Sequence, residues 1–331
     1  MVKRSLLYPL LLEPVLHVHV WGGHKLADVM NKKLPTGDPY GESWEVYDTS
    51  KIVNGVLAGQ TLGETLAEYG TTLIGPDNDP RQGFPLLVKF LDAAEWLSVQ
   101  VHPNDEQAAR LEGEPRGKNE AWYILAAAPG AQLVIGVNPS TSRDEMTRAI
   151  QENRLEELLV YADIVTGDTL YIPAGTIHSI GPGALIYEVQ QTSDMTYRLY
   201  DWGRMGLDGQ PRRLHIEKGA QVANLDSLPE IVHLGSNQAP EVAIVTSDFF
   251  TTRLHHIDSN TGGVTRLDTT GRRFHTLTCI DGEVQVTAAK TTILMTIGQS
   301  AVIPASTGPY HLSGKGALLR SWQTATLTKP A

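Results

Sequence analysis

The sequence predicts a mainly β protein, organised as two related β-barrel units with a few short helices inserted between strands. Three observations predict it. Short apolar runs recur along the chain, each bounded by Gly, Pro, Asn or Asp. Helix-capping signals are few. One stretch of the chain repeats another. The apolar runs 16–21, 84–90, 96–101, 132–137, 169–172 and 184–189 read as strands. The run 6–12, interrupted by Pro9 and ended by Glu13 and Pro14, reads as a strand entering the fold. Thr61 with Glu64 forms a capping box ahead of Leu62, Leu66 and Tyr69. Asn104 caps a short helix through Gln107 and Leu111. Ser142 with Glu145 caps another, with Met146, Ala149 and Ile150 on one face; the phase breaks near Asn153, so Leu155, Leu158 and Leu159 belong to a second short helix. Beyond Leu214 the chain reads as a linker with a short helix, then strands from about Ala243. Asp281-Gly282, between the runs 276–280 and 283–287, predicts a hairpin turn.

The repeat joins residues 167–189 to residues 298–322. Gly167 matches Gly298, Ile172-Pro173-Ala174 matches Ile303-Pro304-Ala305, and Gly183-Ala184-Leu185 matches Gly316-Ala317-Leu318. The economical reading is two related units, one of them degraded as a site.

Composition bounds the function. The chain has 331 residues, of which 41% are apolar and 19% charged, which excludes global disorder and gives a prior of about two domains. A net charge of −10 argues against a general nucleic-acid or anionic-membrane surface, while leaving room for a local basic pocket. No apolar run reaches the roughly 18 residues of a membrane helix. Lys3 and Arg4 ahead of the first apolar run resemble the start of a signal peptide, but no small-residue cleavage site follows. The single cysteine, Cys279, allows neither an intramolecular disulfide nor a cysteine-rich zinc module, so a cytoplasmic location is expected.

The first copy of the repeat carries the chemistry. Gly167, Pro173, Gly175 and His178 follow the spacing G-x5-P-x-G-x2-H, which resembles the second motif of the cupin superfamily. That resemblance implies two jelly-roll units, and a His pointed at a metal; Pro182 stands where many cupins have Asn. Companions for His178 are sought in Gln100-Val101-His102-Pro103, where Gln100 and His102 share a strand face, and in Lys118-Asn119-Glu120. Two imidazoles, a carboxylate and an amide oxygen suit Zn²⁺, and other first-row divalent metals also fit. The His17-Val18-His19 pair is a competing metal site, but it lacks a matching carboxylate motif and a Pro-Gly turn. His24, His215, His233, His255, His256, His275 and His311 default to structural roles, and the second unit reads as an empty site.

These motifs, together with Trp21-Gly22-Gly23, Gly41-Glu42-Ser43-Trp44-Glu45, Pro85 to Asp92, and Ser193 to Asp201, resemble type I phosphomannose isomerase in its short bacterial form. The match runs in order from about residue 10 to 220, and the rest fits the family's second jelly roll. It implies a catalytic cupin-like domain over 1–235 with helical insertions, and a degenerate jelly-roll domain over 236–331. It further implies a zinc enzyme, one Zn²⁺ per chain, interconverting mannose 6-phosphate and fructose 6-phosphate. The partner expected is therefore a small sugar phosphate, neither nucleic acid nor membrane, for a monomer or weak homo-oligomer. The implied ligands are Gln100, His102, Glu120 and His178, with Arg198 as the active-site arginine. Lys118, Glu188 and Ser98 fall in the implied pocket, and Lys89 is either a phosphate contact or a solvated strand end.

Aldose–ketose isomerisation moves a proton between neighbouring carbons through an enediol, so it needs a base and a fixed cation. Glu188 and Lys118 are the two candidate bases, beside a metal-bound water; a neighbouring dication would lower the lysine pKa into a usable range. Arg198 either grips phosphate or steadies the enediolate, unless it merely pairs with Asp194 or Asp201. Two other function classes share the motifs: a cupin of another reaction type, such as an Fe²⁺ oxygenase, and a non-catalytic sugar-phosphate-binding homologue.

Overall fold

The computed structural model describes residues 7–235, 237–258 and 264–324. Lys3 and Arg4, on which the signal-peptide comparison turned, lie outside them. Two large antiparallel sheets dominate. The first runs in the order Val232–His233, Asp168–Ile172, Glu120–Ala127, Ala184–Gln191, Leu86–Asp92, Tyr40–Val46, Val15–Gly23. The second runs Glu241–Thr246, Phe250–Asp258, Pro309–Gln323, His275–Ala288, Ser300–Ile303, Leu10–Glu13, Lys51–Ile52, with Thr265–Asp268 and Thr291–Thr296 paired off this path. Two small sheets complete the half that holds the first sheet: Ser179–Ile180, Gln132–Val137 and Leu159–Asp163, and separately Tyr197–Tyr200 with Val99–Val101.

The mainly β, cupin-type fold is as expected, but no sheet closes into a barrel among the described residues. Each large sheet ends in edge strands, and the facing layer of the first half consists of separate short sheets. Side chains alternate accordingly. Leu91, Trp122, Ile124, Leu170 and Ile186 bury one face of the first sheet, while Phe90, Tyr187 and Val189 bury the other against Phe250, Leu254 and Leu319 of the second. The strand Leu10–Glu13 crosses to the second sheet, where Leu10 pairs with Val302.

The three capped helices occur as read. Leu62–Tyr69, Asp105–Glu112 and Arg143–Gln151 each begin at a reciprocal capping box, at Thr61, Asn104 and Ser142. The second short helix is a 3-10 turn, Leu155–Leu158, and Leu159 already starts a strand. The predicted strand over 96–101 shortens to Val99–Val101. The hairpin at Asp281-Gly282 is not formed. His275–Ala288 runs straight through, with a bulge between Cys279 and Asp281 and Gly282 at φ +63°. A Cβ at Gly282 would stand 2.2 Å from the Lys315 carbonyl oxygen, so this glycine serves a close strand approach rather than a turn. The chain reverses instead after Ala288, which pairs with Thr291 across two residues.

Candidate metal centre and cavity

Four backbone features converge on one spot. Glu120 opens the strand Glu120–Ala127, paired with Ile172 on one side and Gln190 on the other. Gln100, on the short strand Val99–Val101, bridges to His178, each main-chain N–H donating to the other's carbonyl at 2.9 Å. The Pro173–Gly175 turn brings His178 there. Gly175 sits at φ +92°, its N–H donates to the His102 carbonyl at 2.8 Å, and a Cβ would stand 3.2 Å from the Val222 carbonyl oxygen and the Asn224 Cβ. Asn119 ties the parts together: its Oδ1 accepts from the Ala174 N–H and the Tyr171 hydroxyl, and its Nδ2 donates to Gln191 at 2.7 Å.

His102, Glu120 and His178 lie with one donor atom each within 4.8 Å of one another, all buried. His102 donates its Nδ1–H to the Met195 carbonyl at 2.8 Å, and His178 its Nδ1–H to the Thr176 carbonyl at 2.9 Å. Both rings therefore present a bare Nε2 inward. His178 Nε2 is 3.1 Å and His102 Nε2 3.7 Å from the Glu120 carboxylate. Burial, with Lys118 beside it, keeps the His102 ring well below the usual histidine range and hence neutral. Burial opposes ionisation of Glu120, but Lys118 and the two histidines hold it well below the carboxylate range. Neither oxygen of this fully buried carboxylate makes a hydrogen bond of good geometry. Two imidazoles with Nε2 turned inward and an ionised carboxylate between them fit a divalent metal. The Gln100 amide lies at the same point, its Nε2 3.3 Å from His178 Nε2, so turning the amide over would present its oxygen.

The donors border a cavity of about 290 Å³ lined by Gln100, Ser98, Lys118, Glu188, Lys89 and Arg198, and further by His19, Glu42, Asp194 and Arg212. Every residue expected at the site thus lies at the metal centre or on this cavity. Lys89 is buried, so it is not a solvated strand end; its Nζ stands 3.2 Å from Glu42 and over the Trp44 ring. Glu42, despite burial, is held down to about 2, chiefly by Lys89. Arg198 pairs with neither Asp194 nor Asp201 among the described residues; Arg204 and Arg212 take Asp201. Arg198 Nη1 donates to the Arg213 carbonyl at 3.0 Å, and its Nε has no partner.

Lys118 lies just before its strand, with Nζ 2.7 Å from Glu120, 3.2 Å from His102 Nε2 and 3.9 Å from Glu188. Burial pushes this amine down, but Glu120 and Glu188 outweigh it and hold it above its ordinary value. Glu188 is pushed up to about 7 by burial and by the Glu120 charge, and accepts from the Trp122 indole N–H at 2.9 Å.

His17 and His19 join no group of three metal-ligating side chains among the described residues. His19 stacks on Trp21 at 4.6 Å and faces the cavity, while His17 packs against Trp44. Sequence reading gave no role to Arg212, which lines the cavity; Glu42 and Thr196 entered only within matching blocks, and His19 only as half of the competing metal pair. Alternation from Trp21 and Trp44 places His19 and Glu42 on the same strand faces as those rings, a signal available in the pattern. Arg212, on a loop, leaves no such signal.

The fold and site define a cupin-type protein with a buried His-Glu-His centre opening on a cation-lined cavity. Residues 10–126 match the family model of the type I phosphomannose isomerase catalytic domain, and residues 241–323 that of the mannose-6-phosphate isomerase cupin domain. The chain is 39% identical over 251 residues to a probable mannose-6-phosphate isomerase, GmuF, of Bacillus subtilis (strain 168), covering 73% of this chain and 78% of that one. It is 41% identical over 225 residues to the mannose-6-phosphate isomerase ManA of the same organism, covering 67% and 70%. The crystal structure of a mannose 6-phosphate isomerase from Bacillus subtilis superposes with a TM-score of 0.85 at 30% identity, over 95% of this chain and 99% of that one. The chain belongs to the type I phosphomannose isomerases, a family of enzymes. Among the described residues, no helix is long and apolar enough to cross a membrane.

Proposed function

We propose that the chain is a zinc-dependent isomerase interconverting mannose 6-phosphate and fructose 6-phosphate by proton transfer through an enediol. The observation that carries the reading is Glu120: a buried, ionised carboxylate clustered with His102 and His178 beside a cavity lined by Lys89, Lys118, Arg198 and Arg212. Gln100, His102, Glu120 and His178 would hold one Zn²⁺. When bound, the zinc supplies a Lewis acid that polarises a substrate oxygen and offsets its growing negative charge.

The remaining chemistry falls to the chain's own side chains. A sugar phosphate brings at least one full negative charge, and the cavity meets it with two arginines and two lysines. Arg198, whose guanidinium is bound by no carboxylate, is assigned to the substrate's anionic oxygens. Ser98 and Lys89 are assigned to substrate contacts. From mannose 6-phosphate, a base takes the proton from C2, leaving an enediol between C1 and C2; a proton is then returned to C1 while the C2 hydroxyl becomes the carbonyl. Of the two bases weighed, Glu188 fits better. In the metal-free chain its carboxyl, on the cavity wall, is pushed up to about 7, whereas Lys118 is held above its ordinary value chiefly by Glu120, 2.7 Å away. Lys118 is assigned to charge stabilisation and proton return.

The division into a catalytic domain, 1–235, and a second domain, 236–331, belongs to the same proposal, with each domain read as a jelly roll. It is supported by the two separate large sheets, although Leu10–Glu13 joins the second. An iron oxygenase would use the same two histidines and carboxylate, but the four cations around the cavity favour a phosphosugar. A cytoplasmic, metabolic setting completes the reading. The test is a coupled assay of fructose 6-phosphate formed from mannose 6-phosphate, before and after chelation. Activity that disappears with the metal and returns with Zn²⁺ supports the proposal. Oxygen uptake with Fe²⁺ and no isomerisation would replace it.

A further inference from the structure

The two large sheets repeat one strand order, and the repeat exposes a second set of polar side chains. Asp168–Ile172, Glu120–Ala127, Ala184–Gln191, Leu86–Asp92 and Tyr40–Val46 are successive neighbours in the first sheet. Ser300–Ile303, His275–Ala288, Pro309–Gln323, Phe250–Asp258 and Glu241–Thr246 follow in the same order in the second. Ile172 pairs with Glu120, and its repeat counterpart Ile303 pairs with His275. Trp122 pairs with Glu188, and Leu277 pairs with Arg320. Glu188 pairs with Lys89, and Arg320 pairs with Arg253. Leu91 pairs with Glu42, and His255 pairs with Glu241.

In register, then, His275 stands where Glu120 stands, Arg320 where Glu188 stands, Arg253 where Lys89 stands and Glu241 where Glu42 stands. Two carboxylates have become an imidazole and a guanidinium, so the position that would receive a cation in the first unit favours an anion in the second.

The local geometry agrees. Arg320 is 8% exposed and lies over the Trp322 ring, 4.6 Å from its centroid, with Arg273 over the same ring at 6.0 Å. His255 is fully buried, and neither of its ring nitrogens makes a hydrogen bond; nor does Arg320 Nε. His275 Nδ1 is engaged by the Tyr310 hydroxyl at 2.7 Å. The cluster's acid is Glu241, itself half exposed, at 3.6 Å from His255 Nδ1, 3.7 Å from Arg320 Nη2 and 3.9 Å from Arg253 Nε. These separations exceed hydrogen-bond length, so the carboxylate lowers the field without satisfying the donors. A buried guanidinium with an unsatisfied N–H is costly, and a tetrahedral oxyanion is the ligand that its planar fork matches.

We propose that this face of the second unit binds a small oxyanion, of the phosphate or phosphate-monoester class, held by Arg320 and Arg253 and faced by His255. The site lies outside the isomerase cavity and shares no residue with it.

The test is binding of inorganic phosphate to the metal-loaded, full-length protein, by isothermal titration, in wild type and in Arg320→Gln. The result expected is that one class of phosphate sites weakens by about tenfold or more, the loss of a charged hydrogen-bonding group, while isomerase kcat/KM is unchanged. Glu241→Gln should tighten the same class by removing a competing carboxylate. Arg253→Gln, at a half-exposed position, gives the same weakening should Arg320→Gln fail to fold. If the isomerase cavity binds no phosphate, wild type shows one class and Arg320→Gln none, which leaves this proposal standing. Unchanged number and affinity of sites in the folded Arg320→Gln and Arg253→Gln proteins overturns it, leaving Glu241 as an internal counter-ion only.

Discussion

Gln100 and His178, 78 residues apart, exchange two main-chain hydrogen bonds of 2.9 Å. The bridge locks two candidate ligands into one register. It also makes ligand geometry depend on the turn between Pro173 and His178, rather than on side-chain packing alone.

His102→Ala and His178→Ala should each lose the metal and the activity. Tuning contacts around a metal are worth about 10–100-fold in affinity, so loss of a direct ligand should exceed about 100-fold. Elemental analysis of the purified variants, beside the coupled assay, checks this. A His178→Ala protein free of metal and fully active would sink the site assignment.

Gly175→Ala should damage the same centre indirectly. A non-glycine residue at φ +92°, crowded by Val222 and Asn224, costs roughly 1–3 kcal/mol. A lowered Tm together with weaker metal retention is the expected pair of changes. Weaker metal retention at an unchanged Tm would mean that the turn is not strained.

Arg198→Ala should keep the metal and lose turnover. With no carboxylate partner to orphan, its removal should leave the folding stability within about 0.5 kcal/mol of wild type, read from thermal melts. A drop in kcat at unchanged KM would place it on the developing charge, and a raised KM at unchanged kcat on uniform binding of the substrate. Wild-type kcat and KM would remove it from the site.

Glu188 gives a pH-dependent stability. Its carboxyl is pushed from 4.5 to about 7 in the folded metal-free chain, chiefly by burial. The folded state therefore holds this proton more tightly than the unfolded chain does. Stability from this group is fully present below pH 4.5 and is lost as pH rises through about 7. Glu188→Gln in chelated protein should raise Tm above pH 7 and change it little below pH 4.5. Thermal melts across that window check the sign; a Tm lowered equally at all pH values would contradict it.

Much of this centre was legible because its signals are local. Gly167 to His178 is one strand and the turn that follows it, Gln100-x-His102 straddles the end of a short strand, and each capping box lies within four residues. What escaped depends on contacts between distant segments. Asp281-Gly282 has the local chemistry of a hairpin, yet it became a bulge because Lys315 and Gly316 approach it from another strand. The basic cluster of the second unit was invisible because Arg320, Arg253 and His255 meet only through sheet register.

The central claim is that one Zn²⁺ held by Gln100, His102, Glu120 and His178 makes this chain an isomerase. The most direct measurement strips the metal, adds Zn²⁺ in steps, and follows both bound zinc and the rate of fructose 6-phosphate formation from mannose 6-phosphate. The account predicts a rate proportional to bound zinc that levels at one zinc per chain. Full activity in the stripped protein, or no isomerisation with one zinc bound per chain, would contradict it.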